Sequence, residues 1–260
     1  MSDTFSEKPD KSLREILSSN DHPIIKLYPL NFLIKIISIL PIIGLAVLLR
    51  AKNVDSAENV ASLLGTPFSL LGTAAMTSCF GSYFTGQRPS PLRSYWTVLR
   101  RLPTLLLTTF MMLVLVVCGV ALTSLFTLSI FALFFTVPRI MFVNLVCVLE
   151  RKSVIDSFSR SYKLSADRFW ALVVIAIASG LIQNYLAEYV STLIAPGDTL
   201  GQGISRLMFI SLMDPILDGH LVIQYFKARC SEDDAYGVTE LRVELMRATH
   251  AAPPAEGIDL

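Results

Sequence analysis

Asp214, Asp218 and His220 fall close together inside an apolar stretch, 204–226, that is long enough to cross a bilayer. Asp214 and Asp218 are four residues apart, so a helix puts both carboxyls on one face. Pro215 between them is placed to kink that helix. Two carboxyls and an imidazole are groups that relay protons, hold a cation or grip a polar headgroup. Arg139 occupies the middle of a second apolar stretch, 126–149, and Lys35 lies in a third, 30–49. An ionised side chain at such depth needs a partner or a water-filled cavity. Arg139 lies eleven residues before Glu150, and Asp218 nine before Lys227. At about 1.5 Å of rise per residue, the two reach a similar depth and are expected to pair, with Asp214 taking Lys35 or backbone groups. The candidate intramembrane polar site is therefore Arg139, Asp214, Asp218, His220 and Lys35. It reads either as an ion-pair staple that sets helix register or as a pocket or relay for protons, ions or a headgroup. Lys35 by itself reads as a snorkelling side chain. Asn144, Gln183 and Asn184 read as hydrogen-bond partners between helices.

Enzyme signatures are missing from this chain. It holds no G-x-S-x-G, P-loop, H-E-x-x-H or Rossmann fingerprint. A membrane hydrolase would need His220 beside the carboxylates in an accessible cleft. The four cysteines, Cys79, Cys118, Cys147 and Cys230, have no C-x-x-C spacing and read as small apolar residues. The histidines, His22, His220 and His250, are far apart. The expectation is a non-enzymatic protein with no catalytic residue, no metal, no cofactor and no nucleic-acid partner.

What must position these groups is a set of membrane helices. The chain is 53% hydrophobic and 17% charged, with a mean hydropathy of +0.57, against about 25% charged in soluble domains. Six apolar runs are near bilayer length: 30–49, 60–84, 104–124, 126–149, 169–190 and 204–226. They lack the alternation of barrel strands, so helices are expected. The fold class is an all-α polytopic transmembrane bundle of about six spanning helices. Its organisation is an N-terminal segment 1–29, a transmembrane domain 30–226 and a tail 227–260. The first 29 residues are polar, so no cleavable signal is expected and the first run acts as an anchor. Within the tail, 236–247 has the pattern of a short helix and 251–260 that of disorder.

Basic residues set the orientation. Lys8, Lys11, Arg14 and Lys26 precede the first run, and Lys227, Arg229, Arg242 and Arg247 follow the last. The loop at 85–103 holds Arg88, Arg93, Arg100 and Arg101, and the loop at 150–168 holds Arg151, Lys152, Arg160, Lys163 and Arg168. The alternate loops are poor in Lys and Arg; Arg50 and Lys52 depart from this and are balanced by Asp55 and Glu58. Both termini are expected in the cytoplasm of a bacterium, with the bundle in its inner (plasma) membrane.

Two of the basic loops read as amphipathic surface helices. Ser90 is placed to cap one with Pro91 in its first turn, and Leu92, Tyr95, Trp96 and Leu99 are expected to face lipid. In the other, Val154, Ile155, Phe158 and Tyr162 share a face opposite Lys152, Asp156, Arg160 and Lys163. Arg93, Arg100, Arg101, Arg151, Lys152, Arg160, Lys163 and Arg168 are thus candidate contacts for lipid headgroups. Anionic lipid of the cytoplasmic leaflet is the expected partner, beside a membrane protein partner. Glu150 is expected to pair with Arg160 or Arg168. Lys26-Leu27-Tyr28, Arg93-Ser94-Tyr95 and Arg160-Ser161-Tyr162 recur at intervals of 67 residues, which suggests three repeated hairpins in one orientation.

The stretch 135–170 carries Arg139 within an apolar run, then Val148-Leu149-Glu150, Arg151, Arg160-Ser161, Leu164 and the aromatic pair Phe169-Trp170. With Gln224-Tyr-Phe-Lys-Ala-Arg229 and Ala235-Tyr-Gly-Val-Thr-Glu-Leu241 near the end, this resembles the membrane domain found fused to some glycerophosphoryl diester phosphodiesterases, and its stand-alone bacterial relatives. The resemblance covers roughly the second half of the chain. It departs from the family's pattern before Arg160-Ser161, where Asp156-Ser-Phe-Ser stands in place of the usual alanine, and at Ala166 and Asp167, where glycine is usual. It implies an inner-membrane bundle of about six helices, and it carries over no catalytic residue. The leading expectation is an accessory protein that organises a partner or anionic lipid. The alternative is a small transporter or lipid-handling protein, whose signature would be a water-filled cavity at the Arg139–Asp214–Asp218 layer.

Overall fold

The computed structural model describes residues 23–52, 57–84, 88–124 and 129–232. Among them the chain is helical, with no strand. The helices are α1 (Pro23–Ala51), α2 (Ala57–Phe84), α3 (Pro91–Leu99), α4 (Leu102–Ser124), α5 (Ser129–Ile140), α6 (Val143–Leu149), α7 (Val154–Ser165), α8 (Phe169–Gly180), α9 (Ala187–Ile194) and α10 (Thr199–Glu232). A π-helical stretch, Leu181–Leu186, joins α8 to α9 without a break in the rod. Most of the expected turn at 123–127, the tail segments 236–247 and 251–260, and the outlying basic residues Lys8, Lys11, Arg14, Arg242 and Arg247 lie outside the described residues.

Three helices are long and apolar enough to cross a membrane: Pro23–Ala51, Phe169–Ile194 and Thr199–Ser231. A fourth candidate, α3 with the start of α4, is bent by 72°. The apolar run at 126–149 is divided, because α5 ends at Ile140 and α6 starts at Val143. Pro138 lies just before this break and has no N–H to offer the preceding turn. α2 is less apolar than its neighbours for a different reason. Its middle, including Ala74, Ala75, Met76 and Cys79, is buried in protein rather than in lipid, so it is built for close packing. Helix ends also run past the apolar runs. α1 starts at Pro23 and α10 continues to Glu232, because Ile24, Leu27, Ala228 and Cys230 are buried there.

α1 and α2 form a hairpin and α10 packs on both. The main core sits where α1 begins and α2 and α10 finish. Phe80 and Phe84 of α2 meet Phe142, Tyr225 and Phe226 there, with Phe84 and Phe226 rings 4.7 Å apart. Glycine sets how close α1 and α2 come. A Cβ on Gly72 would lie 2.8 Å from the Ser38 Cβ, nearer than packed carbons tolerate. Gly72→Ala should therefore lower the melting temperature in detergent by the equivalent of about 1–3 kcal/mol, despite alanine's better helix propensity. Gly44 has nothing within 4 Å of such a Cβ, so Gly44→Ala should be neutral or stabilising. Equal losses at both positions would contradict this packing.

The surface helices keep their amphipathic character but turn differently from the expectation. On α3, Leu92, Trp96 and Leu99 are exposed, whereas Ser94 and Val98 are buried. Tyr95 points inward and shares a 2.6 Å hydrogen bond with Ser38. Ser90 holds the cap position without a side-chain cap bond. On α7, Ile155 and Tyr162 are exposed, and the face against the bundle is Ser157, Ser161, Leu164 and Ser165. Small hydroxyl side chains allow the closer approach, so serines rather than aromatics face inward.

Candidate functional site

The polar site is built on α1. Asn31, Lys35 and Ser38 recur at helical spacing and are all buried, at 0%, 3% and 4% exposure. Lys35 therefore does not snorkel. Its Nζ lies 2.7 Å from Asp214 Oδ2 on α10 and donates to Thr73 Oγ1 on α2 at 2.8 Å. The pair is largely buried, with side-chain exposures of 4% and 13%, and removing one partner of such a pair leaves the other charge uncompensated.

Asp218 lies one helical turn from Asp214 and is close enough to feel the charges of both Lys35 and Asp214. Its Oδ2 is buried and makes no hydrogen bond within the protein. Neither amide atom of Asn31 has a hydrogen-bond partner. With both carboxyls ionised, the cluster holds two negative charges against the single ammonium of Lys35. One proton or one monovalent cation brings it to neutrality.

A cavity of about 170 Å³ adjoins the ion pair. Lys35 and Asp214 form part of its wall, with Thr66 and Ser69 from α2 and Ser211 from α10. Its other lining residues on α1, Ile39 and Ile42, lie beyond Lys35 toward the end of that helix. Asn31 and Asp218 are not among its lining residues, so the ion pair stands between the cavity and their unpartnered polar atoms.

The expected pairing of Arg139 with Asp218 is not formed. The Arg139 guanidinium stacks 4.6 Å from the Tyr162 ring and 5.5 Å from the Phe169 ring. Its Nη1 donates to the Tyr162 carbonyl at 3.2 Å, and Ser161 Oγ donates to the Arg139 carbonyl at 2.7 Å. Matching depth was not enough, because α7 docks against this face of α5 and takes Arg139. His220 is exposed, and its Nδ1 lies 2.8 Å from the carbonyl of Ile216 on its own helix. It is not gathered with Lys35 and Asp214.

A second buried cluster lies beside the main core, where α6 ends and α10 finishes. Glu150 follows α6 and is 5% exposed. Tyr225 OH donates to its Oε1 at 2.7 Å, Arg160 Nε lies 3.2 Å from Oε2, and Arg229 Nε lies 3.5 Å from Oε1. The expected Glu150–Arg160 pair is thus present, whereas Arg168 donates instead to the Lys227 carbonyl at 3.4 Å. The sequence marks Arg229 as a basic residue of the tail and Tyr225 as part of the Gln224–Arg229 stretch, but not as partners of Glu150, because nothing near them in the chain shows what they face. Arg206 also escaped notice. It pairs with Glu188 at 3.1 Å across α10 and α9. Asn184 bonds within its own helix, to the Gly180 carbonyl, and Asn144 Oδ1 has no hydrogen-bond partner.

Of the remaining basic residues, Arg93, Arg100, Lys152 and Lys163 are exposed. Arg100 lies 5.3 Å over the Trp96 ring, and Arg101 donates to the Arg151 carbonyl at 3.2 Å. All four cysteines are free, and no group of three or more His, Cys, Asp or Glu suited to a metal occurs among the described residues.

No family model, no curated protein and no solved structure matches this chain.

Proposed function

We propose that the chain is a non-enzymatic polytopic protein of the bacterial plasma membrane that binds and moves a small cationic or proton-coupled solute between α1, α2 and α10. The polar cavity beside Lys35 and Asp214 carries this reading. It has the volume of about five or six water molecules, which suits a small solute rather than a whole lipid. Its wall offers an ammonium, a carboxylate and three hydroxyls. The neighbouring Asp218, one helical turn from Asp214 on α10, adds a second carboxyl to the cluster, one more than the Lys35 ammonium can balance when both are ionised. Intramembrane carboxylates beside a cavity are the usual carriers of such coupling. Six crossings, cytoplasmic termini, a three-hairpin repeat and kinship with the phosphodiesterase-associated membrane domain belong to the same reading. Burial of Leu27, Ser94 and Ser161 at equivalent repeat positions supports the repeat.

Aqueous access to the cavity is the test. Ser69→Cys, made in a Cys118→Ser background, should react with a charged, water-soluble methanethiosulfonate. Phe110→Cys, at a position 59% exposed on a hydrophobic stretch of α4, should not. A Ser69→Cys protein that folds but stays unlabelled would remove the transport reading.

The accessory reading keeps one observation of its own. Only 11% of the Phe169–Ile194 span is buried in the bundle, against 33% for Pro23–Ala51 and 28% for Thr199–Ser231. A spanning helix so little packed by its own chain suits a membrane partner laid along it. Stoichiometric co-purification of one protein that is lost when Val174 and Ile177 are changed to Trp would favour this reading.

A further inference from the structure

Arg101 ends the bend between α3 and α4, and Arg151 stands in the connection after α6. They are fifty residues apart in the chain, yet Arg101 Nη1 donates to the Arg151 carbonyl at 3.2 Å. Arg100, next to Arg101, holds its guanidinium over the Trp96 ring. Among the described residues none of the three has an acidic partner. The nearest carboxylates along the chain are already engaged, Glu150 with Tyr225, Arg160 and Arg229, and Asp156 with Ser153 at the start of α7.

Gathering three guanidinium groups without a counter-charge is costly, and the structure shows the cost. Arg151 Nε is buried with no hydrogen-bond partner. Burial, and then the charges of Arg101 and Arg100, push the Arg151 guanidinium down to about 10 from its ordinary value of 12.5. Arg151 also takes a left-handed backbone, φ +52°, where glycine would be at ease and other residues seldom are. A bulky cation held in that conformation, with an unused donor, is the arrangement expected of a site awaiting an anion.

We propose that Arg100, Arg101 and Arg151 form a binding site for a phosphate group, supplied by an anionic phospholipid whose acyl chains lie against Leu92 and Trp96. Guanidinium forks match phosphate oxygens in pairs, so a phosphodiester satisfies the unused donors and neutralises the mutual repulsion together. Leu92 and Trp96 are 81% and 58% exposed on the same short helix. An exposed tryptophan beside arginine is the signature of the headgroup level of a bilayer. The site lies at the bend before α4 and does not depend on the Lys35 cavity.

The test uses the full chain in nanodiscs of equimolar phosphatidylglycerol and phosphatidylcholine, released into native mass spectrometry to count retained lipid. Wild-type protein should retain phosphatidylglycerol about tenfold more than phosphatidylcholine, the worth of one charge-assisted contact. Arg101→Gln/Arg151→Gln should lose most of that preference, and Arg50→Gln, at an exposed arginine at the end of α1, should keep it. If phosphatidylglycerol is not preferred but inorganic phosphate raises the melting temperature of the wild type and not of the double variant, the phosphate site stands with a soluble source. Wild-type protein that shows neither preference nor phosphate stabilisation overturns the proposal, whether or not the double variant folds. So does a folded double variant that retains phosphatidylglycerol as the wild type does.

Discussion

Lys35→Met and Asp214→Leu are each expected to destabilise the protein strongly, by about 3–5 kcal/mol, whereas the double variant Lys35→Met/Asp214→Leu should recover most of the loss. The asymmetry follows from burial. The ammonium and the carboxylate are 2.7 Å apart, with side-chain exposures of only 4% and 13%, so either one left alone keeps most of its desolvation cost without its partner. Replacing both by apolar groups of similar length removes the cost and the attraction together. The interaction term of this cycle, read from melting temperatures in detergent, should be several kcal/mol. Strictly additive losses would mean that the two charges do not depend on one another. The double variant also separates the two meanings of the site. If the pair only fixes register, the apolar variant behaves as the wild type. If it handles a solute, the variant folds but no longer binds the cation or responds to pH, since the ammonium and one of the two carboxyls have gone.

Glu150→Gln should be the second large effect, at about 3 kcal/mol. Glu150 takes both the Arg160 and Arg229 head groups, and the Tyr225 hydroxyl as well. It therefore ties the end of α6 to the surface helix α7 and to the end of α10. Removing its charge leaves two buried or half-buried guanidinium groups facing a neutral amide. The Tyr225 hydrogen bond survives in weakened form, which is why glutamine is a milder change than alanine. The expected local signature is faster amide hydrogen exchange in Val154–Ser165, since α7 is anchored there by serine packing and by this junction. Unchanged exchange across α7 together with an unchanged melting temperature would show that the junction does not hold the surface helix.

The chain's own pattern was enough for several features. Long apolar runs marked α1, α4, α8–α9 and α10, because helical backbone closes its hydrogen bonds within the segment and the runs need only be counted. Basic, amphipathic stretches marked α3 and α7 for the same local reason. The four-residue spacing of Asp214 and Asp218 put both on one face of α10, and Lys35 emerged as a partner for Asp214. Glu150 and Arg160, ten residues apart, were near enough in sequence to be paired by inspection.

Which faces turn inward was decided only by the assembled bundle. Depth alone suggests Arg139 for Asp218, but a residue's height along its helix says nothing about its azimuth. Arg139 therefore ends on Tyr162 and Phe169, and His220 ends outside. Tyr95 turned from lipid to Ser38, where a buried hydroxyl on α1 supplies a hydrogen-bond partner. The convergence of Arg101 on Arg151, and of Arg229 and Tyr225 on Glu150, spans fifty to eighty residues of chain. Sequence alone determined that the chain forms apolar helices with charges that must be sheltered, since hydropathy and helical period are properties of consecutive residues. Which charges shelter one another was left to tertiary structure, because ion pairs and stacking act over a few ångströms and only packing brings distant residues within that reach.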